Sequence, residues 1–217
     1  MVVASGETVL GAERDTAMHG QAERLLPMVD AVMRAAGLSA SVLDIIGVTI
    51  GPGSFTGIRV GLAAARGIAL ATGARLIGVT GFEAVAAGLA EPARRGGFLL
   101  IVLESRREDL YTQLFDHARN SLGDPTATMP AALDETLNGI IGGAPLLLAG
   151  DAAQRAARIL ASRPDTIVAE GSAPDAAGVL RAVLRRRRLY ARSDGPLPLY
   201  LRPPDVTFSN AHQRACR

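Results

Sequence analysis

Residues 49–73 read TIGPGSFTGIRVGLAAARGIALATG, and the change of character along this stretch decides the fold. Just upstream and into it, Ile45, Ile46, Val48 and Ile50 make a β-branched run, Gly51-Pro52-Gly53 breaks that run, and apolar residues then recur at helical spacing. The stretch is therefore a strand, a glycine-rich turn and a helix over 54–72. Gly57, Gly61 and Ala65 fall four apart, with Ala64 and Gly67 beside them, so small residues line a smooth groove on one helix face. A glycine inside a helix costs about 1 kcal/mol relative to alanine, so several together predict the close approach of another backbone. Ile58, Leu62 and Ala69 form a packing stripe near the groove, while Arg59 and Arg66 share a different face.

Glycines ahead of a helix can also cradle an anion on exposed N–H groups. The spacing of Gly51, Gly53 and Gly57 is one residue too long for the dinucleotide fingerprint, and a P-loop needs a lysine, of which the chain has none. A tight turn leading into a close-packed interface helix is the better reading.

At 217 residues with 48% hydrophobic content, the chain is long enough for one large domain or two small lobes. The formal net charge is +2, all cations being arginine, and the pI is about 9.2. Such an excess does not by itself predict nucleic-acid binding. A single cysteine, Cys216, excludes an internal disulfide or a cysteine-based metal site. With no signal-peptide pattern at the N-terminus and no apolar run long enough to span a bilayer, the expectation is a cytoplasmic protein without membrane contact.

Along the chain, residues 1–14 predict a hairpin and residues 20–36 an amphipathic helix, with Pro27 inside it and Gly37 as C-terminal cap. Residues 75–79 predict a strand, and Thr80-Gly81-Phe82-Glu83 is a capping-box pattern opening a helix through Leu89, with Glu83 as cap rather than acid. Residues 91–97, with Pro92, Gly96 and Gly97, mark the expected boundary between an N-terminal lobe, 1–95, and a C-terminal lobe, 96–205, followed by a tail, 206–217. Strands are expected over 98–103 and 110–115, joined by a charged, solvated turn, then a loop over 120–128 and a helix over 134–141. A strand over 146–149, a helix over 151–160, a strand over 166–169 and a last helix opened by Ser172 and Pro174 complete an α/β pattern. Arg185, Arg186, Arg187 and Arg188 close that helix, where cations complement its dipole and are also candidate contacts for nucleic-acid phosphates. No catalytic elbow, zinc helix or cysteine pair is present, and no catalytic residue or metal ligand is assigned.

GPGSFTGIRVG at residues 51–61 closely resembles the signature of the TsaB (YeaZ) group of the glycoprotease-like (peptidase M22) family. Further similarity runs through HGQAERLLPMV from His19, RLIGVT at 75–80 and PLYLR at 198–202. The resemblance implies a two-lobed actin-like (ASKHA, RNase H-like) α/β fold, in which the usual first central strand is missing, so that further residues are expected upstream of Met1. It implies a non-catalytic subunit that binds and activates a TsaD-type transferase forming N6-threonylcarbamoyladenosine in tRNA, together with a TsaE-type ATPase and a TsaC-type enzyme. ATP and metal are expected on partner subunits and none on this chain alone. The metal-holding histidines of TsaD-type relatives correspond to Gly81 and Val85 here, which cannot ligate. The expected interface comprises Leu25, Leu26 and Val29 on the first helix and Ser54, Phe55, Thr56, Gly57, Arg59, Val60, Gly61, Ala64 and Ala65 on the glycine-rich one. Contact with tRNA is at most indirect or weak. Two rival expectations remain: an ATPase or kinase of the same fold, and a self-associating structural protein, since the same helices could make a homodimer.

Overall fold

The protein is described by a computed structural model covering residues 1–15, 20–89, 97–170, 173–187 and 195–202. It opens with an antiparallel hairpin, β1 (Val2–Ser5) and β2 (Thr8–Ala12), that turns at Gly6 with φ 60°. The helix α1 (Gln21–Ala35) follows, contains Pro27, and packs Val32 and Met33 against Val3 of the hairpin. Gly37, with φ 67°, ends it in the left-handed conformation that glycine adopts without a Cβ penalty. After one 3-10 turn at Ala40–Val42 come β3 (Ile45–Gly51), α2 (Phe55–Thr72) and β4 (Arg75–Thr80). β3 and β4 pair in parallel, Ile45 opposite Arg75 and Thr49 opposite Val79, with α2 as the crossover.

The central piece is α3 (Gly81–Gly88). Six of its eight residues are buried and all six are glycine or apolar, as in a helix enclosed by other elements, with Glu83 the charged residue in its first turn. Phe82, Val85 and Ala86 pack on one side against Leu99, Ile101 and Leu103 of β5 (Phe98–Glu104); Ala84 and Ala87 pack on the other against Ile77, Val79, Ala182 and Val183. At about 1.5–3 kcal/mol for each large apolar side chain fully buried, this helix is the main bond between the two halves.

β5 continues into β6 (Leu110–Phe115), β7 (Thr126–Thr128), α4 (Pro130–Ile141), β8 (Leu146–Ala149), α5 (Ala153–Ile159), β9 (Thr166–Val168) and α6 (Ala176–Arg186). The strands form a mixed sheet in the order β7-β6-β5-β8-β9, antiparallel on the β6 side and parallel on the β8 side. Because strand side chains alternate between faces, Leu100 and Val102 join Leu133, Leu137, Leu148 and Ala156 on the α4–α5 face, while Leu99, Ile101 and Leu103 meet α3 on the other. α6 then returns to pack on α3, β3 and β4, and Gly178 lies against the α3 backbone, 3.6 Å from where a Cβ on Gly88 would stand.

Three expectations are corrected. Residues 126–128, read as loop, form β7, because Thr112 on β6 bonds both Thr126 (3.2 Å) and Thr128 (2.8 Å) and makes a hydroxyl ladder no hydrophobic pattern reveals. α4 begins at Pro130, earlier than read, with proline in the first turn where its missing N–H costs nothing. α6 is capped by Asp175, whose carboxylate accepts from the N–H of Gly178 at 2.6 Å. Ser172, the lobe boundary at 91–97 up to Gly96, and the 206–217 tail lie outside the described residues. No helix among those described is long and apolar enough to cross a membrane.

Candidate functional site

The glycine-rich turn and helix form as the sequence directs. β3 ends at Gly51, whose φ of 124° and the carbonyl of Leu199, 2.6 Å from where a Cβ would stand, leave room only for glycine. The Gly51–Pro52 bond is cis. Ser54 then caps α2, its Oγ accepting the N–H of Gly57 at 3.0 Å, and Gly73 closes the helix at φ 75°. The cap therefore occupies one of the N–H groups that an anion would need.

α2 divides into three strips. Ile58, Leu62 and Ala65 are buried against the chain's own core. Phe55, Thr56, Gly57, Ala63, Gly67 and Leu70 are exposed, with Val60, Gly61 and Ala64 half-buried beside them. Arg59 and Arg66 face the segment 195–202: Arg66 donates to the carbonyl of Pro196 at 2.8 Å, and Arg59 donates through Nε to the Tyr200 hydroxyl at 3.0 Å. The small-residue face is open, because a Cβ on Gly67 would meet nothing within 4 Å and one on Gly61 only Val48 Cγ2 at 3.9 Å. Among the described residues, no backbone fills the groove at those two positions.

α1 lies beside α2. Leu26 is exposed, Leu25 is half-buried, and Val29 leans on the Val3–Val32–Met33 cluster. Of the expected interface residues, eleven of twelve thus keep surface; the exception is Ala65, 6% exposed, which packs inward with Ile58 and Leu62. Sequence spacing put it in the groove because positions four apart share a helix face, but the stripe three residues from Leu62 is the buried one. His19 lies outside the described residues.

The arginine run needs a second correction. Arg186 turns inward: Nη1 donates to the carbonyl of Gly78 at 2.6 Å and Nη2 pairs with Glu83. Glu83 meanwhile completes the capping box, accepting from the Thr80 N–H at 2.8 Å while its own N–H donates to Thr80 Oγ1 at 3.1 Å. Arg186 is therefore committed to the fold and withdrawn from phosphate contact. Arg185 and Arg187 are exposed, and Arg188 is outside the described residues.

The metal positions of TsaD-type relatives do not fit a metal here. A Cβ on Gly81 would stand 3.1 Å from Leu103 Cδ1, and Val85 is 3% exposed in the apolar core, so neither place offers a donor atom. Among the described residues, no three His, Cys, Asp or Glu side chains gather where a cation could be held.

What sequence reasoning missed is the strap at 195–202. Its Leu199 N–H bonds the carbonyl of Ile50 at 2.8 Å, and Arg202 pairs at 2.7 Å with Asp109, which is 1% exposed and also accepts from Ser105 Oγ at 2.9 Å. The strap thus joins the glycine turn to the β5–β6 turn, and an open cavity of about 220 Å³ lies between them, lined by Gly53, Phe55, Ser105, Tyr111, Tyr200 and Arg202 among others. The only advance signal was the PLYLR match at 198–202, which says nothing of what it touches.

Fold and site together define the class: a mixed α/β protein in which the β3–β4 pair and the five-stranded sheet flank a buried helix, and whose glycine-turn helix presents small residues outward. The same fold is found in a solved protein from Pseudomonas aeruginosa described as similar to the peptidase YEAZ, with a TM-score of 0.70 and 22% identity over 87% of each chain. A family model described as TsaD: tRNA N6-adenosine threonylcarbamoyltransferase matches residues 15–162. An uncharacterized protein of Mycobacterium tuberculosis is 32% identical over 199 residues, 91% of this chain and 82% of its own length. The tRNA threonylcarbamoyladenosine biosynthesis protein TsaB of Escherichia coli is 30% identical over 102 residues, 46% of this chain and 43% of its own. The chain belongs to the TsaD, or glycoprotease-like, family, with TsaB (YeaZ) proteins among its homologues.

Proposed function

We propose that this chain serves tRNA threonylcarbamoyladenosine biosynthesis as a non-catalytic subunit, docking on a TsaD-type transferase through α1 and α2 and activating it. The observation that carries the reading is the exposed small-residue face of α2, where, among the described residues, a Cβ on Gly67 would meet nothing within 4 Å and one on Gly61 only Val48 Cγ2 at 3.9 Å. Glycines that weaken a helix by about 1 kcal/mol each are explained when a second helix packs against them. Leu26, 56% exposed on the adjacent α1, extends the same apolar surface. The apolar packing at Gly81 and Val85 supports a non-catalytic role, since a metal-held nucleotide would need ligands there. A TsaE-type ATPase is the further partner in this reading, and tRNA contact is indirect.

The test is complex formation with the purified TsaD-type transferase of the same genome. Gly67→Leu adds a side chain into open space, so the variant is expected to fold as the parent does and to lose the complex by at least tenfold in Kd. A complex of unchanged affinity in that variant contradicts docking through α2. Sedimentation of the chain alone measures the competing homodimer; a homodimer that Gly67→Leu leaves intact uses some other face.

A further inference from the structure

Arg59 is an exposed arginine held in one place. Its guanidinium carbon sits 3.6 Å from the centroid of the Phe55 ring and 6.0 Å from that of Tyr200. The two rings are 5.3 Å apart and tilted by 31°. Its Nε is spent on the Tyr200 hydroxyl at 3.0 Å. No carboxylate among the described residues pairs with it, so the two terminal nitrogens form an open fork. Exposed arginine ordinarily carries rotamer entropy that binding must remove; stacking and the Tyr200 bond have already removed much of it here. The fork is organised before any ligand arrives.

We infer that the Phe55–Arg59–Tyr200 cluster is the anchor of the docking surface and receives a carboxylate from the protein partner, gripped in a bidentate pair by the Arg59 fork. The inference rests on the docking reading above and adds to it the strap, which the family resemblance did not place at the interface. Three observations select a protein acid over other anions. The cluster is continuous with the apolar, small-residue surface of α2, and arginine, tyrosine and phenylalanine together are the composition of protein–protein hot spots. The neighbouring cavity of about 220 Å³ is smaller than the roughly 300–1,000 Å³ typical of small-molecule sites, and suits an inserted side chain. A phosphate-tracking surface needs several cations free to reach it, whereas the neighbouring Arg66 donates to the Pro196 carbonyl and Arg202 pairs with Asp109.

The experiment measures the Kd of the full chain for the purified TsaD-type transferase by calorimetry, with melting curves to confirm folding of each variant. Arg59→Ala is expected to weaken the complex about 30-fold or more, as a hot-spot truncation does. Arg59→Lys, which keeps the charge but neither fork nor flat stacking face, is expected to lose nearly as much. Tyr200→Phe keeps the ring and drops the hydroxyl, with an expected loss of about fivefold from one hydrogen bond. Asp→Asn and Glu→Gln replacements across the partner's docking face identify the acid as the one whose effect vanishes in the Arg59→Ala background. If the parent binds, Gly67→Leu abolishes binding and Arg59→Ala stays within twofold, the anchor is wrong and the docking reading stands. If the parent does not bind, both fall. If Arg59→Ala leaves the protein complex intact but lowers retention of tRNA on a filter, the fork serves phosphate and the inference is overturned.

Discussion

Glu83 meets three groups at once: one carboxylate oxygen takes the Thr80 N–H and hydroxyl, and the other takes Arg186. The first pairing was legible, since Thr-x-x-Glu is a local code; the second was not, because 103 residues separate the partners and no periodicity links them. Glu83→Gln is expected to lower stability by about 1–3 kcal/mol, since it weakens a cap and leaves a half-buried guanidinium without its acid. A urea titration measures it, and a change under about 0.5 kcal/mol, the scatter of neutral surface changes, would show that Arg186 finds no net benefit inward. Asp116 makes a pH prediction. The Asn120 side-chain amide at 3.0 Å, and next its backbone N–H at 2.8 Å, hold the Asp116 carboxyl below the ordinary aspartate range. A lowered folded value means the turn's contribution is complete above the ordinary aspartate range and disappears as pH falls through the folded value. Carboxyl NMR of Asp116 should show the lowered midpoint, and Asn120→Ala, which removes the side-chain amide and keeps the backbone N–H, should raise it part of the way toward the ordinary value; an unmoved midpoint in that variant rules out the side-chain bond as the main cause.

At the scale of elements, β3, the glycine turn and α2 could be read from sequence because each signal is local: β-branching, Gly-Pro-Gly, then helical spacing. Ala65 shows where that reading stops, since a small residue at groove spacing faced the core, and only the packing of Ile58 and Leu62 on the sheet decides which side is which. β7 was illegible for another reason: it is held by backbone pairing to β6 and by threonine hydroxyl contacts, neither of which leaves an apolar pattern in the sequence. The open position of Gly67 leads to a stability prediction: Gly67→Ala should raise stability by about 0.5–1 kcal/mol, the helix-propensity difference, because nothing nearby opposes the methyl group. The strap is the opposite case. Arg202→Ala strips the cation from a carboxylate 1% exposed, and breaking a buried pair on one side costs about 3 kcal/mol. Denaturation of that variant should also loosen Tyr200, read as loss of protection of the Leu199 amide in hydrogen exchange. Unchanged protection there would separate the strap's two ends.

For the whole molecule, α3 explains how the face proposed for docking is left open. It fastens the β3–β4 layer and α6 to the five-stranded sheet through the apolar clusters on its two sides, so α2 buries only Ile58, Leu62 and Ala65 and keeps Phe55, Thr56, Gly57, Ala63, Gly67 and Leu70 exposed. The α/β class was legible in the alternation of strands and helices. The return of α6 from the end of the chain onto β3, β4 and α3 was not, because a sequence does not say which early element a late helix will meet. The most direct measurement is the yield of N6-threonylcarbamoyladenosine in a reconstituted reaction of TsaC-, TsaD- and TsaE-type proteins from the same source with substrate tRNA, with and without this chain. Repeated turnover only when the chain is present, lost again with Gly67→Leu, is the predicted result; a yield that is the same without the chain, or that Gly67→Leu leaves untouched, contradicts activation through α2.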